Sequence, residues 1–316
     1  MKKLTAILGI VFAVSTILFV ASVGGNWAAL SVGGNNLPSE LQGEKTNRIY
    51  TESFDNIEIS TIFAIVTLDT SSDGNTYINY KSSDDLIELR SSVSGKNLKI
   101  EEKNKKWITF WPWGRQSELE ILIPEKEYNK FFFGNTSGKV AINDLFCKDF
   151  RFESTSGDIE LYVGAENFYF DNTSGSLYAE NIGKKDIDNL DIFSTTGNLE
   201  IKGFSPDRYR FDLTSGTIRA YNLSGNGKMD LVSGNIITEY DYWNDNLEIE
   251  CISGGVKVTL PEESGIDIDV DRTSGSVNVD LNGQSGELKD GSYTIGGANR
   301  HDVDVDIISG NIDITN

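Results

Sequence analysis

The sequence predicts an all-β protein: a single-stranded parallel β-solenoid, or β-helix, preceded by an N-terminal transmembrane helix or signal sequence. Three observations carry that prediction. Nine of the thirteen Ser/Thr-Gly dipeptides form a series, at Gly138, Gly157, Gly175, Gly197, Gly216, Gly234, Gly254, Gly275 and Gly310; those at Gly95, Gly225, Gly265 and Gly286 fall outside it for want of paired apolar flanks or of room for a turn. Aliphatic residues stand two places after every glycine of the series, from Val140 and Ile159 to Val277 and Ile312, and apolar residues stand five places before, from Phe133 and Phe152 to Val270 and Val305. The composition, with 31 glycines and 5 prolines in 316 residues, suits strands joined by tight turns.

The chain opens on Lys2 and Lys3, followed by an uncharged apolar run from Leu4 to Val23. Twenty such residues at ~1.5 Å each span a hydrocarbon core of ~30 Å, and the lysines favour the cytoplasmic side. Residues 1–23 are therefore expected to be a signal anchor, the alternative being a cleaved signal peptide; either exports the remainder. The stretch 24–48, rich in Gly, Asn and Ser, reads as a flexible linker. From about residue 49 the segments FDNIEIS, LKIEE and ELEILIP alternate in the manner of strands, so 49–316 is expected to form one β-solenoid domain.

Spacings of 18 to 22 residues separate the first eight corner glycines. Side chains at −7 and −5 share one strand face, as do those at +2 and +4, because strands alternate with period two. The alternation breaks at the dipeptide, as a corner requires, where glycine can take positive φ and the hydroxyl can satisfy a backbone group. A unit this short cannot bury its apolar columns alone, but stacked copies rising ~4.8 Å each can. At −7 the single exception to apolar character is Gly227. The 35-residue gap between Gly275 and Gly310 is expected to hold one degenerate coil, since residues 293–307 still alternate.

The outward columns carry the candidate chemistry. At −4 stand Glu153, Asp171, Asp212, Asp230, Glu250, Asp271 and Asp306. Like charges ~4.8 Å apart repel by about 1 kcal/mol even in water, so such a ladder splays, pairs with bases or recruits cations. Asp212, Asp230, Glu250 and Asp271 are the candidate ligands for weak Ca²⁺ binding, while Arg151, Arg210 and Lys228 at −6 are available to neutralise part of the column. In KNKKWITFWPWGRQ (103–116) Trp107, Trp111 and Trp113 lie among basic residues, which suits either a cap over the end of the coil or contact with a membrane interface or a glycan. Cys147 and Cys251 fall about five coils apart, roughly 24 Å at ~4.8 Å per step, and are expected to be free, buried thiols. His301 is the sole histidine and is expected at the surface.

Charge excludes one class of partner. With 48 acidic and 28 basic residues and a net charge of −20, the chain is unsuited to nucleic acid. With no second histidine and no G-x-S-x-G elbow, serine-hydrolase chemistry has no support either.

The corners STSGDIEL (154–161) and NTSGSLYA (172–179), the preceding LEILIPEKEYNKFFFGNTSGKV (119–140) and the apolar N-terminus together resemble the bacterial putative adhesin family with its LiaG-like domain of unknown function. The resemblance covers roughly 49–316 and implies an extracytoplasmic, right-handed β-solenoid tied to adhesion or envelope-stress regulation, with no catalytic residues. The expected function is a membrane-anchored, non-catalytic binding or scaffold module of the cell envelope, its partners an envelope protein or cell-wall polysaccharide and no cofactor required. The alternatives are an accessory regulator of envelope-stress signalling and a carbohydrate-active β-helix enzyme.

Overall fold

A computed structural model describes residues 45–83, 86–105, 117–183 and 187–316. The expected signal anchor (1–23), most of the expected linker and the tryptophans Trp107, Trp111 and Trp113 lie outside the described residues. Among the described residues no helix is long and apolar enough to cross a membrane.

Every regular element is a strand. The N-terminal group comprises β1 (Lys45–Tyr50), β2 (Asn56–Thr61), β3 (Ala64–Ser71), β4 (Thr76–Ser82), β5 (Ile87–Ser94), β6 (Asn97–Asn104), β7 (Ser117–Pro124) and β8 (Glu127–Asn135). The body comprises β9 (Lys139–Ser154), β10 (Asp158–Asn172), β11 (Ser176–Asn181), β12 (Ile187–Lys202), β13 (Pro206–Leu223), β14 (Asn226–Leu231), β15 (Asn235–Tyr240), β16 (Leu247–Cys251) and β17 (Gly255–Thr259). The C-terminal group comprises β18 (Ser264–Arg272), β19 (Ser276–Leu281), β20 (Gln284–Leu288), β21 (Gly291–Gly296), β22 (Asn299–Ile307) and β23 (Asn311–Thr315). β1 begins inside the stretch expected to be linker: Lys45 to Tyr50 pair antiparallel with β4, so an available sheet edge orders a segment whose polar composition reads as loop.

Each coil contributes one strand before its corner glycine and one after, and like strands stack in parallel. In the ladder before the glycine (ladder A), Phe133, Phe152, Phe170, Ile192, Phe211, Met229 and Ile249 stand in direct register. In the ladder after it (ladder B), Val140, Ile159, Leu177, Leu199, Ile218, Ile236 and Val256 do the same. All nine aliphatic residues at +2 are at most 3% exposed. The core thus runs the length of the stack as continuous columns. Phe131, Phe150 and Phe168 stack at 5.4 and 4.8 Å between centroids, and Phe133, Phe152 and Phe170 at 4.9 and 5.6 Å. Such pairs contribute roughly 0.5–1.5 kcal/mol beyond their area.

The exception at −7 has a steric cause. Tyr209 occupies this column one layer below Gly227, its hydroxyl hydrogen-bonded to that of Tyr240 in the interior. A Cβ built on Gly227 would lie 2.6 Å from Cε1 of Tyr209 and closer still to its Cζ and Oη. One ring fills the volume of two layers.

The corner glycines form a column of their own. Gly175 has φ +120°, and a Cβ there would lie 2.8 Å from the backbone N of Gly157 in the neighbouring coil and closer to its carbonyl oxygen. Gly275 meets Gly310 in the same way. Close stacking of backbone on backbone, joined at seven of the nine corners by positive φ, is what excludes side chains here. The neighbouring hydroxyls reach across layers, Thr196 Oγ1 donating to the Thr173 carbonyl (3.1 Å) and Ser274 Oγ to that of Ile308 (2.8 Å). Inside the bend, the side-chain amide of Asn172 and the hydroxyl of Ser194 are buried with no hydrogen-bond partner among the described residues.

The two ends depart from sequential stacking. β16 and β17 pair with β22 and β23, not with β18 and β19, so the coil of Gly310 lies between those of Gly254 and Gly275. The gap between Gly275 and Gly310 therefore contains no extra parallel coil: β20 and β21 run back antiparallel on β19 and β18 as a cap, and the alternation in 293–307 belongs to β21 and β22. The N-terminal end repeats the device. β2 and β3 lie between β8–β9 on one side and β6–β7 on the other, and β4 and β5 close that end antiparallel. The buried Glu102 of β6 holds the first corner, accepting from the backbone N–H groups of Ile62 (2.6 Å) and Phe63 (3.1 Å), from Tyr80 Oη (3.0 Å) and from Ser117. Among the described residues the parallel stack has eleven coils, or roughly 48 Å at ~4.8 Å per step.

Candidate binding faces

The outward side chains of ladder A fall at −4 and −6, and the register lays them out as two parallel columns. From the N-terminal side, Arg151 of β9 pairs with Glu153 of the same strand while its guanidinium lies 4.3 Å from the centroid of Tyr169. Tyr169 packs on Phe193 at 5.4 Å, and Arg210 covers the other side of Phe193 at 5.6 Å. Arg210 then bridges Asp212 (2.9 Å) and Asp230 (3.2 Å), and Lys228 bridges Asp230 (3.3 Å), Glu248 (2.8 Å) and Glu250 (2.9 Å). Aromatic rings and ion pairs thus link six layers laterally.

These contacts revise the candidate cation ladder. Asp212, Asp230 and Glu250 do stand in consecutive layers. Asp271 does not follow them, because Asp306 of the inserted coil separates it from Glu250. Arg210 and Lys228 supply the positive charge between the acids, and among the described residues no three His, Cys, Asp or Glu side chains are placed to hold a metal ion. Burial pushes Asp230 up to about 6, with Asp212 adding to the effect and Lys228 and Arg210 opposing it. Glu250 is also raised, first by burial. Burial works against the charge of Lys228 too, yet its hydrogen bonds to Glu248 and Glu250 hold the ammonium above its usual range.

Toward the C-terminal end the face becomes an acidic terrace. Glu248, Asp304 and Asp269 stand in register, and beside them Glu250, Asp306 and Asp271. The terrace ends at β21, where Thr294 Oγ1 donates to Asp267 (2.7 Å) and Ser292 Oγ to Asp269 (3.1 Å).

Ladder B presents a different surface. Tyr162 and Tyr178 approach to 5.9 Å, and Lys202 Nζ lies 5.0 Å from the ring of Tyr178 and 5.9 Å from that of Tyr221. Their hydroxyls are tied down, Tyr162 to Glu160 (2.8 Å) and Tyr178 to Glu180 (2.7 Å). Sequence reasoning missed this aromatic band, although Tyr162 and Tyr221 share the column at +5 and Tyr178 stands at +3.

Cys147 and Cys251 are free and buried, and burial raises both thiols, Cys251 to about 11, so neither is a thiolate near neutral pH. His301 is half-buried rather than fully at the surface: its ring meets Trp243 edge to face at 5.8 Å, because the loop between β15 and β16 folds over it.

The comparisons with known proteins can be set beside this geometry. No curated protein matches the chain. Among solved structures, a putative lipid binding protein from Parabacteroides distasonis ATCC 8503 is 16% identical, with 86% of this chain and 97% of that one covered at a TM-score of 0.47. A putative adhesin from Bacteroides fragilis NCTC 9343 is 13% identical, with 85% and 97% covered at 0.41. A putative adhesin from Parabacteroides distasonis ATCC 8503 is 12% identical, with 86% and 98% covered at 0.37. The family model described as Toastrack DUF4097 matches residues 54–315, from the entry to β2 to the end of β23. The adhesin-like domain of unknown function suggested by the repeated corners is therefore the right family: the chain belongs to Toastrack DUF4097.

Proposed function

We propose that this protein is a non-catalytic binding module of the bacterial cell envelope, anchored in the membrane by residues 1–23 with residues 49–316 outside, and that its outward columns are the contact surface. The observation that supports this reading most is the cross-linked face of ladder A. Arg151, Tyr169, Phe193, Arg210 and Lys228 are held by neighbours in adjacent layers, so a partner meets side chains that have already lost much of their rotamer freedom. A rigid, repetitive face suits an extended partner such as an envelope protein or a cell-wall polysaccharide. In the same reading Trp107, Trp111 and Trp113 contact the membrane interface or a glycan.

The test has two arms. In intact cells a membrane-impermeant amine reagent is expected to label the exposed Lys257 and Lys289, and the chain is expected in the membrane fraction. Recovery of unlabelled protein from the cytosol refutes the location. Full-length protein in detergent is expected to retain envelope material, with Arg151→Ala/Tyr169→Ala retaining several-fold less. Equal retention by the variant refutes the assignment of the face.

A further inference from the structure

Near the C-terminal end, at the corner opposite the glycine column, an open cleft of about 900 Å³ lies where connections from several layers meet. The loop 241–246 leads from β15 to β16, residues 260–263 lead from β17 to β18, and residues 297–298 lead from β21 to β22. All three line the cleft, together with His301 of β22 and Asn282 after β19.

The loop 241–246 is pinned. Trp243 is 3% exposed, its Nε1 donates to the Gly265 carbonyl (2.9 Å), and its own carbonyl accepts from Asn299 Nδ2 (2.8 Å). The next residue back, Tyr242, is 69% exposed and projects at the cleft; among the described residues Ile49 is the other large hydrophobic so exposed. An aromatic ring left in water on a fixed loop is an expense with no return in stability.

The floor is set by strained backbone. Glu263 and Asn282 both take left-handed φ, +66° and +52°, a conformation that costs a non-glycine residue roughly 1 kcal/mol. They brace each other: the Glu263 N–H donates to Asn282 Oδ1 (3.2 Å), and Asn282 Nδ2 donates to the Ser264 carbonyl (2.7 Å). Asp241 is oriented from the layer below by Asn222, whose Nδ2 donates to both carboxylate oxygens (2.9 and 3.1 Å).

These groups define the ligand chemistry. Asp241, Glu262 and Glu263 are acceptors, no Lys or Arg lines the cleft, and the amides of Asn282 and Asn299 are spent on backbone, which leaves Asn244 and His301 among the side chains able to donate. The balance favours a ligand that donates hydrogen bonds and carries positive charge, with a flat apolar face to lie on Tyr242. A pyranose ring offers that face and its hydroxyls donate; a free amino group adds the charge. We propose that the cleft binds amino sugars bearing a free ammonium group, as units of a polysaccharide. This goes beyond the reading of the ladder faces, and it is tested in solution, so failure of the membrane location leaves it intact.

Full-length protein in detergent is titrated calorimetrically with a glucosamine tetramer, an N-acetylglucosamine tetramer and a galacturonic acid tetramer. The glucosamine tetramer is expected to bind with millimolar or tighter affinity, the acetylated one at least 5-fold more weakly, and the acidic one not at all. Tyr242→Ala is expected to weaken the glucosamine tetramer at least 10-fold with an unchanged melting temperature, as its exposure allows. Glu262→Gln/Glu263→Gln is expected to erase the preference for the amino over the acetylated tetramer. No binding of the glucosamine tetramer, equal binding of the acidic one, or affinities untouched by both variants overturns the proposal.

Discussion

Tyr209 fills the space that a side chain on Gly227 would need, so two consecutive layers share one aromatic ring at the −7 column. Gly227→Ala is expected to destabilise the protein by about 1–3 kcal/mol, the range for overpacking a closed core. In a Tyr209→Leu background, matching Leu190 and Leu247 in the same column, the added methyl is expected to cost less than about 0.5 kcal/mol. A double-mutant cycle by denaturant unfolding measures the coupling; equal costs in both backgrounds would show that the ring is not the obstacle.

Corner glycines and turn glycines differ in what excludes a side chain. At Gly74 φ is +78° and nothing lies within 4 Å of a built Cβ, so Gly74→Ala is expected to cost only the strain of the left-handed region, about 1 kcal/mol. Gly175→Ala adds a collision with the backbone of Gly157, which no rotamer relieves, and is expected to cost more than about 3 kcal/mol or to prevent folding. Parallel thermal melts of the two variants decide; similar losses would refute the stacking argument.

The acidic column carries a pH signature. Asp230 titrates near 3.8 when unfolded and at about 6 when folded, raised by burial and then by Asp212. The folded state therefore holds its proton through a window in which the unfolded chain has released it. The contribution of Asp230 to stability is therefore expected to fall as pH rises from about 4 to 6 and to stay reduced above, by on the order of 2 kcal/mol after solvent screening. Asp230→Asn is expected to melt a few degrees higher than wild type at pH 7.5 and at the same temperature at pH 4. Lys228 keeps Glu248 and Glu250 in the variant, and Arg210 keeps Asp212. A variant that melts lower at pH 7.5 would mean the ion pairs outweigh desolvation.

Ser194 is a candidate for stabilisation. Its hydroxyl is buried without a partner among the described residues, in a column that continues as Leu213, Leu231 and Cys251. Ser194→Ala removes an undischarged desolvation cost and is expected to raise stability by up to about 1 kcal/mol. Urea unfolding of both proteins measures the difference, and a loss of 1 kcal/mol or more would reveal a bond that this geometry lacks.

The body of the stack was legible because each layer restates the same physical problem. Val140 and Ile159 must face inward two residues after a bend, and the period exposes them. The ends were not legible for the same reason: Val277 and Ile312 are interchangeable as aliphatic neighbours for Val256, and nothing in a column records which arrives first. The neutralised ladder was half visible, since Arg210 and Lys228 stand at −6 beside the acids they pair with. Gly227 looked like a defect because its partner Tyr209 is one period away, yet a bulky ring and a bare glycine in neighbouring copies of one column is a readable volume exchange. Tyr242 and Glu263 escaped notice because they sit in connections of unequal length, where no repeat imposes a comparison.

The late placement of β22 and β23 bears on biogenesis. During synthesis the strands β18 and β19 emerge before the pair they finally rest on, so the Gly275 coil has no floor until β22 and β23 have left the ribosome. Coil-by-coil winding behind the growing chain can proceed to Gly254 and must then pause. Removing residues 305–316 should consequently release the whole C-terminal group from Ser264 onward, whereas a similar cut in a strictly sequential rod would fray only its tip.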